Sequence, residues 1–357
     1  MSLDMGALPQ EVFHRRFGQG TRPVFAVHCS LAHSGAWRGL VAALGEDAVS
    51  CAAFDMLSHG KSPDWDGRGL LQQRNAEAGL HLLSAEVEAA GAPVDLIGHS
   101  FGATVALAMA QARPDLVRTL TLIEPVLFAA ASARDPAALA QMRADHMAVR
   151  EPFAAGDVEL ATRLFNRAWG TGHPKWPDLP ETARAAMIRS FPAVMDCDSQ
   201  VYDDAAGLLA PGALEALAMP VLLMQGGATQ PIMSAVTQAL SARMPEAQVA
   251  VIEGAGLCEE KRLDLFIAHG RGSLCAVKCC SVHVGPPYSA AKVASGAFSR
   301  SFAMAWFMRS CQLLCWITKS PSSSVRAPDK IGLIPSFVAS SSGPLIHCVA
   351  PRVRSFH

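Results

Sequence analysis

The chain has 357 residues, half of them apolar and 17% charged, enough to bury a large core and too apolar for a disordered chain. A formal net charge of −1 gives no general attraction to nucleic acid or to an anionic membrane. Residues 1–10 contain Asp4 and lack a basic stretch followed by an apolar one, so no secretory leader is expected there.

In chain order, apolar runs at 24–27, 49–54, 94–97, 120–123, 221–224 and 249–252 predict strands. Between them, 70–90 has apolar residues at helical spacing and Gly91 as a stop, 104–112 is rich in Ala, Leu and Met, and 234–244 reads as a further helix. Buried strands alternating with helices imply an α/β fold with a mostly parallel sheet flanked by helices. The alternation stops between residues 127 and 216, an Ala-rich stretch of helical pattern broken at 169–174. The expected organisation is a first part of the core over 1–126, a helical insertion over 127–216, a second part over 217–256 and an atypical tail over 257–357. Cys29, Cys51 and Cys197 show no paired spacing, which predicts reduced thiols and a cytoplasmic location.

The tail is a different kind of sequence. Of 30 basic residues 12 lie after Gly256, but only 4 of 31 acidic ones do, so the tail carries +8 and the rest −9. It also holds seven of the ten cysteines, and its apolar residues keep neither helical nor strand spacing for long. Its most apolar stretch, 302–317, is interrupted by Arg309 and falls short of the roughly 18–20 residues that a membrane span requires. Cys275, Cys279 and Cys280 are poorly spaced for zinc.

The strongest chemical signal is Gly98-His99-Ser100-Phe101-Gly102 between the predicted strand at 94–97 and the helix after it. A serine on a sharp strand-to-helix turn needs small residues two places to either side, and it sits where helix N–H groups can hold an anion. Two further motifs fall in order: His28-Cys29-Ser30 after the first strand, and Asp55-Met56-Leu57-Ser58-His59-Gly60-Lys61-Ser62 after the second. Over about residues 11–256 the chain resembles the α/β-hydrolase superfamily, in its serine-nucleophile branch with a helical cap. The resemblance implies Ser100 as nucleophile, within a nucleophile elbow that also contains Gly98, His99 and Gly102. It implies an oxyanion hole from the backbone amides of Ser30 and Phe101, with Cys29 replacing the usual glycine. It gives Asp55 and His59 structural roles, and His28 reads as a brace for its loop.

The resemblance places an acid after one of two strands. Gln230 stands at one place and cannot carry charge, whereas Glu124 follows the strand at 120–123, so Glu124 is the expected acid, with a purely structural carboxylate as the alternative. The histidine should follow Gly254-Ala255-Gly256, but Leu257 stands there, at the same residue where composition and charge change. That coincidence points to a tail read out of frame; a genuine extension on an enzyme that has lost its histidine is the competing reading. Tail histidines (His269, His283, His347, His357) do not sit at the expected turn. Loss of the base alone costs on the order of 10⁶ in turnover, with roughly 10³–10⁴ over water remaining.

The expected function is hydrolysis of an ester-like or other carbonyl small molecule, impaired in the chain as written. It calls for no metal or organic cofactor and no nucleic-acid or membrane partner; oligomeric state is left open. The alternatives are a C–C bond hydrolase or haloperoxidase-like enzyme on the same scaffold, and a non-catalytic small-ligand-binding protein.

Overall fold

The computed structural model describes residues 11–170 and 174–252 and the backbone of a short strand at 284–285. The reading of 257–357 as an atypical tail, the absence of a leader in 1–10 and part of the break at 169–174 fall outside those residues. The strands are β1 (His14–Phe17), β2 (Arg22–Val27), β3 (Val49–Phe54), β4 (Val94–His99), β5 (Val117–Ile123), β6 (Val221–Gly226), β7 (Ala247–Ile252) and β8 (Val284–Gly285), in sheet order β1-β3-β2-β4-β5-β6-β7-β8. Strands β2 to β7 run parallel to their neighbours, and β1 and β8 are antiparallel to β3 and β7.

The apolar runs are the parallel strands because such strands are buried on both faces. Alternation along them feeds two cores: Phe25 and Val27 of β2 join the larger cluster, and Val24 and Ala26 the smaller. The larger core is covered by α2 (Leu71–Ala90), α3 (Phe101–Ala112) and α8 (Pro231–Ser241), which contribute Leu80, Leu107 and Val236. The smaller is covered by α1 (Arg38–Leu44), with Leu40 and Val41 beside Trp37. Gly91 ends α2 in the left-handed region at φ 66°, which glycine adopts without cost.

Two elements carry no legible signal in the sequence. β1 is the polar His-Arg-Arg-Phe, an edge strand with no buried run, and Arg16 reaches Glu86 of α2 at 2.6 Å. α1 is a single short stretch of seven residues.

Between β5 and β6 the chain forms a 3-10 turn (Phe128–Ala133) and helices α4 (Pro136–Ala154), α5 (Val158–Trp169), α6 (Glu181–Met195) and α7 (Asp198–Tyr202). This helical insertion is tied to the loop after β3 and to α2 by polar contacts. The Arg189 guanidinium donates to the Gly60 and Ser62 carbonyls, the Ser190 hydroxyl to the Ser58 carbonyl at 2.9 Å, and the Gln72 N–H to Gln200 Oε1 at 2.7 Å. Among the described residues no helix is long and apolar enough to cross a membrane.

Candidate active site

Strand β4 ends at His99 and α3 begins at Phe101, leaving Ser100 to make the whole turn at φ 55°, ψ −119°. A non-glycine residue there is strained by about 1–3 kcal/mol and persists only if its surroundings fix it. They do so tightly. The Ser100 N–H donates to the Ile123 carbonyl at 2.8 Å, and the Ala103 N–H donates to the Ser100 carbonyl at 3.0 Å. A Cβ on Gly98 would lie 2.6 Å from the Ala103 Cα, and one on Gly102 would strike the carbonyl oxygens of Val27 and His28. The glycines are therefore what lets α3 begin so close to β2 and β4. His99 is buried at the end of β4, opposite Ile123.

The loop after β2 brings Ser30 to the same pocket as Ser100 and Phe101. The Phe101 N–H belongs to the first turn of α3, where helix amides lack intrahelical acceptors. Cys29, in the usual glycine's place, is buried; the left-handed residue of this loop is Leu31 at φ 63°. A side chain at position 29 therefore carries no such backbone penalty. His28 braces the loop from within. Its Nε2 accepts the Met56 N–H at 2.9 Å, so Nδ1 carries the proton and donates to the Cys29 carbonyl at 2.7 Å. Burial, with His59 nearby, lowers its pKa to about 3 and keeps it neutral.

Asp55 and His59 hold the loop after β3. Asp55 accepts the Ser34 N–H at 2.7 Å and the Lys61 N–H at 2.8 Å. Burial raises its pKa, but these hydrogen bonds outweigh that and keep it below the usual carboxylate value. His59 pairs its Nδ1 with the Leu57 carbonyl at 2.9 Å, and burial lowers it to about 4.

Glu124 is fully buried, at φ 45°, one residue beyond the carbonyl that receives the Ser100 N–H. Its Oε1 accepts the Gly226 N–H at 2.7 Å, whereas its Oε2 has no hydrogen-bond partner among the described residues. Burial pushes the carboxyl up to about 7; the Gly226 amide and the nearby Thr229 hydroxyl offset this only in part. Glu124 does not line the pocket, so the structure joins it to Ser100 through the backbone at Ile123. It reaches instead to Gly226, the last residue of β6, four residues before Gln230. The position of Leu257 lies outside the described residues.

The pocket at Ser100 spans about 590 Å³ of space between atoms, its open mouth included. Its floor is Cys29, Ser30, Ser100 and Phe101. Its walls are largely aromatic: Phe128 and Trp169 stack at 5.8 Å and 11°, with Phe165 and Tyr202 alongside. His146 of α4 and Asp198 of α7 are the polar members of the wall. No motif in the sequence singles out these wall residues, since they come from a 3-10 turn and three separate helices and share no spacing. Among the described residues no three His, Cys, Asp or Glu side chains cluster as a metal ion would need.

A model of the alpha/beta hydrolase family matches residues 24–270. Lipase LipV of Mycobacterium tuberculosis is 36% identical over 115 residues, which are 32% of this chain and 41% of the lipase, so the match spans less than half of that relative. The enol-lactonase of Burkholderia xenovorans superposes with a TM-score of 0.57 at 15% identity, over 74% of this chain and 96% of its own. The bromoperoxidase of Bacillus anthracis superposes with a TM-score of 0.56 at 18% identity, over 75% and 96%. At those identities the structural likeness is one of fold.

Proposed function

Because the chain belongs to the alpha/beta hydrolase family, we propose that it is a serine hydrolase, with Ser100 as the nucleophile toward an ester-like carbonyl of a small molecule. The observation that carries this reading is the strained Ser100 turn at the floor of a pocket, beside Ser30 and Phe101. The Ser100 oxygen adds to the carbonyl carbon, the Ser30 and Phe101 amides hold the oxyanion, and collapse expels the alcohol to leave an acyl-enzyme that water cleaves. The helical insertion serves as the cap that shapes substrate choice. Neither step calls for a metal or organic cofactor. Three buried, reduced cysteines (Cys29, Cys51, Cys197) support a cytoplasmic location.

Glu124 is the acid of this reading. Its carboxylate spans to the Gly226 amide, so an acid just after β5 serves the end of β6, next to the loop where Gln230 leaves no charge. Its buried Oε2, without a hydrogen-bond partner among the described residues, is an acceptor that calls for a donor, and a histidine N–H would supply one. The base itself is wanting: Leu257 stands where the family resemblance calls for the histidine that takes the Ser100 proton. We assign residues 257–357 to a shifted reading frame. Sequencing codons 250–270 and translating all three frames tests this. Another frame that continues Gly-Ala-Gly with histidine and an amphipathic helix supports it. No such frame leaves a degraded enzyme or a non-catalytic ligand-binding protein, the second reading, which Leu257 and Gln230 favour.

A further inference from the structure

One charged group of the pocket wall is not used by the chemistry at its floor. His146 and Arg150 lie four residues apart on α4, hence on one face, and both reach Asp198 at the start of α7. His146 Nε2 pairs with Asp198 Oδ1 at 3.0 Å, and the Arg150 guanidinium pairs with Oδ2. The His146 side chain is 10% exposed and Asp198 19%, so the pair is mostly shielded from solvent. The His146 ring also packs on Tyr202 at 5.6 Å. The carboxylate fixes the tautomer: with the proton on Nε2, Nδ1 of the neutral ring is an acceptor. The rest of the wall is aromatic and aliphatic, and stacked Phe128 and Trp169 suit a flat ring.

We propose that His146, positioned by Asp198 and Arg150, is a specificity determinant that accepts a hydrogen bond from a hydroxyl on the substrate's aromatic portion. The preferred substrate class is then an ester of a hydroxyaryl acid, its ring against Phe128 and Trp169 and its carbonyl at Ser100. This rests on the serine-hydrolase reading for the carbonyl's place, but its test needs no turnover.

The test is calorimetric titration of the full-length chain with phenylacetamide and with its ortho-, meta- and para-hydroxy analogues. One hydroxy isomer should bind about three- to tenfold tighter than the parent, the range expected for one net hydrogen bond. His146→Phe, which keeps a ring against Tyr202, should bring that ratio to within about twofold of unity. His146→Gln, which retains an acceptor, should restore part of it, and Asp198→Asn should lower it. Thermal melting shows whether each variant is folded; if His146→Phe is not, the ratio in His146→Gln and Asp198→Asn decides. Equal binding of all four amides, no binding of any, or a preference that survives in the folded variants overturns the proposal. Failure of the Ser100 reading shows elsewhere, as turnover in a frame-corrected chain that Ser100→Ala leaves unchanged.

Discussion

At the floor of the pocket, Ser100, Ser30 and Phe101 are placed by the backbone: a left-handed residue at φ 55°, two glycines whose neighbours leave no room for a Cβ, and a strand-to-helix turn locked to Ile123. At the wall, His146, Trp169 and Tyr202 are placed by side-chain packing between helices that hydrogen bonds tie to α2 and to the loop after β3. Backbone requirements constrain residue type one position at a time. Packing requirements are met by many combinations. On the proposed reading the floor is the kind of machinery that a fold carries from one enzyme to another, and the wall is where the substrate would be chosen.

The largest effect expected at the floor concerns the base. If residues 257–357 are out of frame, p-nitrophenyl butyrate turnover by the chain as written should lie about 10⁶-fold below that of the frame-corrected chain. A second effect concerns the elbow. Gly102→Ala drives a Cβ into the Val27 and His28 carbonyls, which are backbone and cannot swing aside; urea denaturation should show a loss of about 3 kcal/mol or more. A loss under about 1 kcal/mol would mean the turn is looser than its contacts imply.

Glu124 gives a test with a definite sign. Its folded pKa of about 7 lies above the ordinary 4.5, so the folded state holds this proton more tightly than the unfolded chain does. Its contribution is therefore fully present below pH 4.5 and is lost as pH rises to about 7, by about 1.4 kcal/mol per unit. Glu124→Gln should remove that component from the pH dependence of urea unfolding; an unchanged slope between pH 5 and 7 would contradict the assignment. The smallest effect belongs to the helical insertion: Ser190→Ala removes one hydrogen bond to the Ser58 carbonyl and should cost about 1 kcal/mol in the same assay.

The same contrast decides which features the amino-acid sequence reveals. The parallel strands are legible because strands buried on both faces must be continuous apolar runs, and the elbow because its glycines answer to steric limits. The edge strand His14–Phe17 is not, since its polar side chains face solvent and its partner β3 supplies the pairing. Glu124 can be nominated from its place after β5, but its bond to Gly226, 102 residues away, leaves no local pattern. Nor does the His146–Asp198 pair, whose members are 52 residues apart and meet only through helix packing.

The central claim is that Ser100 is a poised nucleophile deprived of its base. It is tested most directly by measuring ester turnover in the chain as written and in the frame-corrected chain, each with and without Ser100→Ala. Correction of the frame should raise turnover by about 10⁶ and Ser100→Ala should remove the gain, while the same substitution should change little in the chain as written. Ordinary hydrolase rates in the chain as written, abolished by Ser100→Ala, would contradict it.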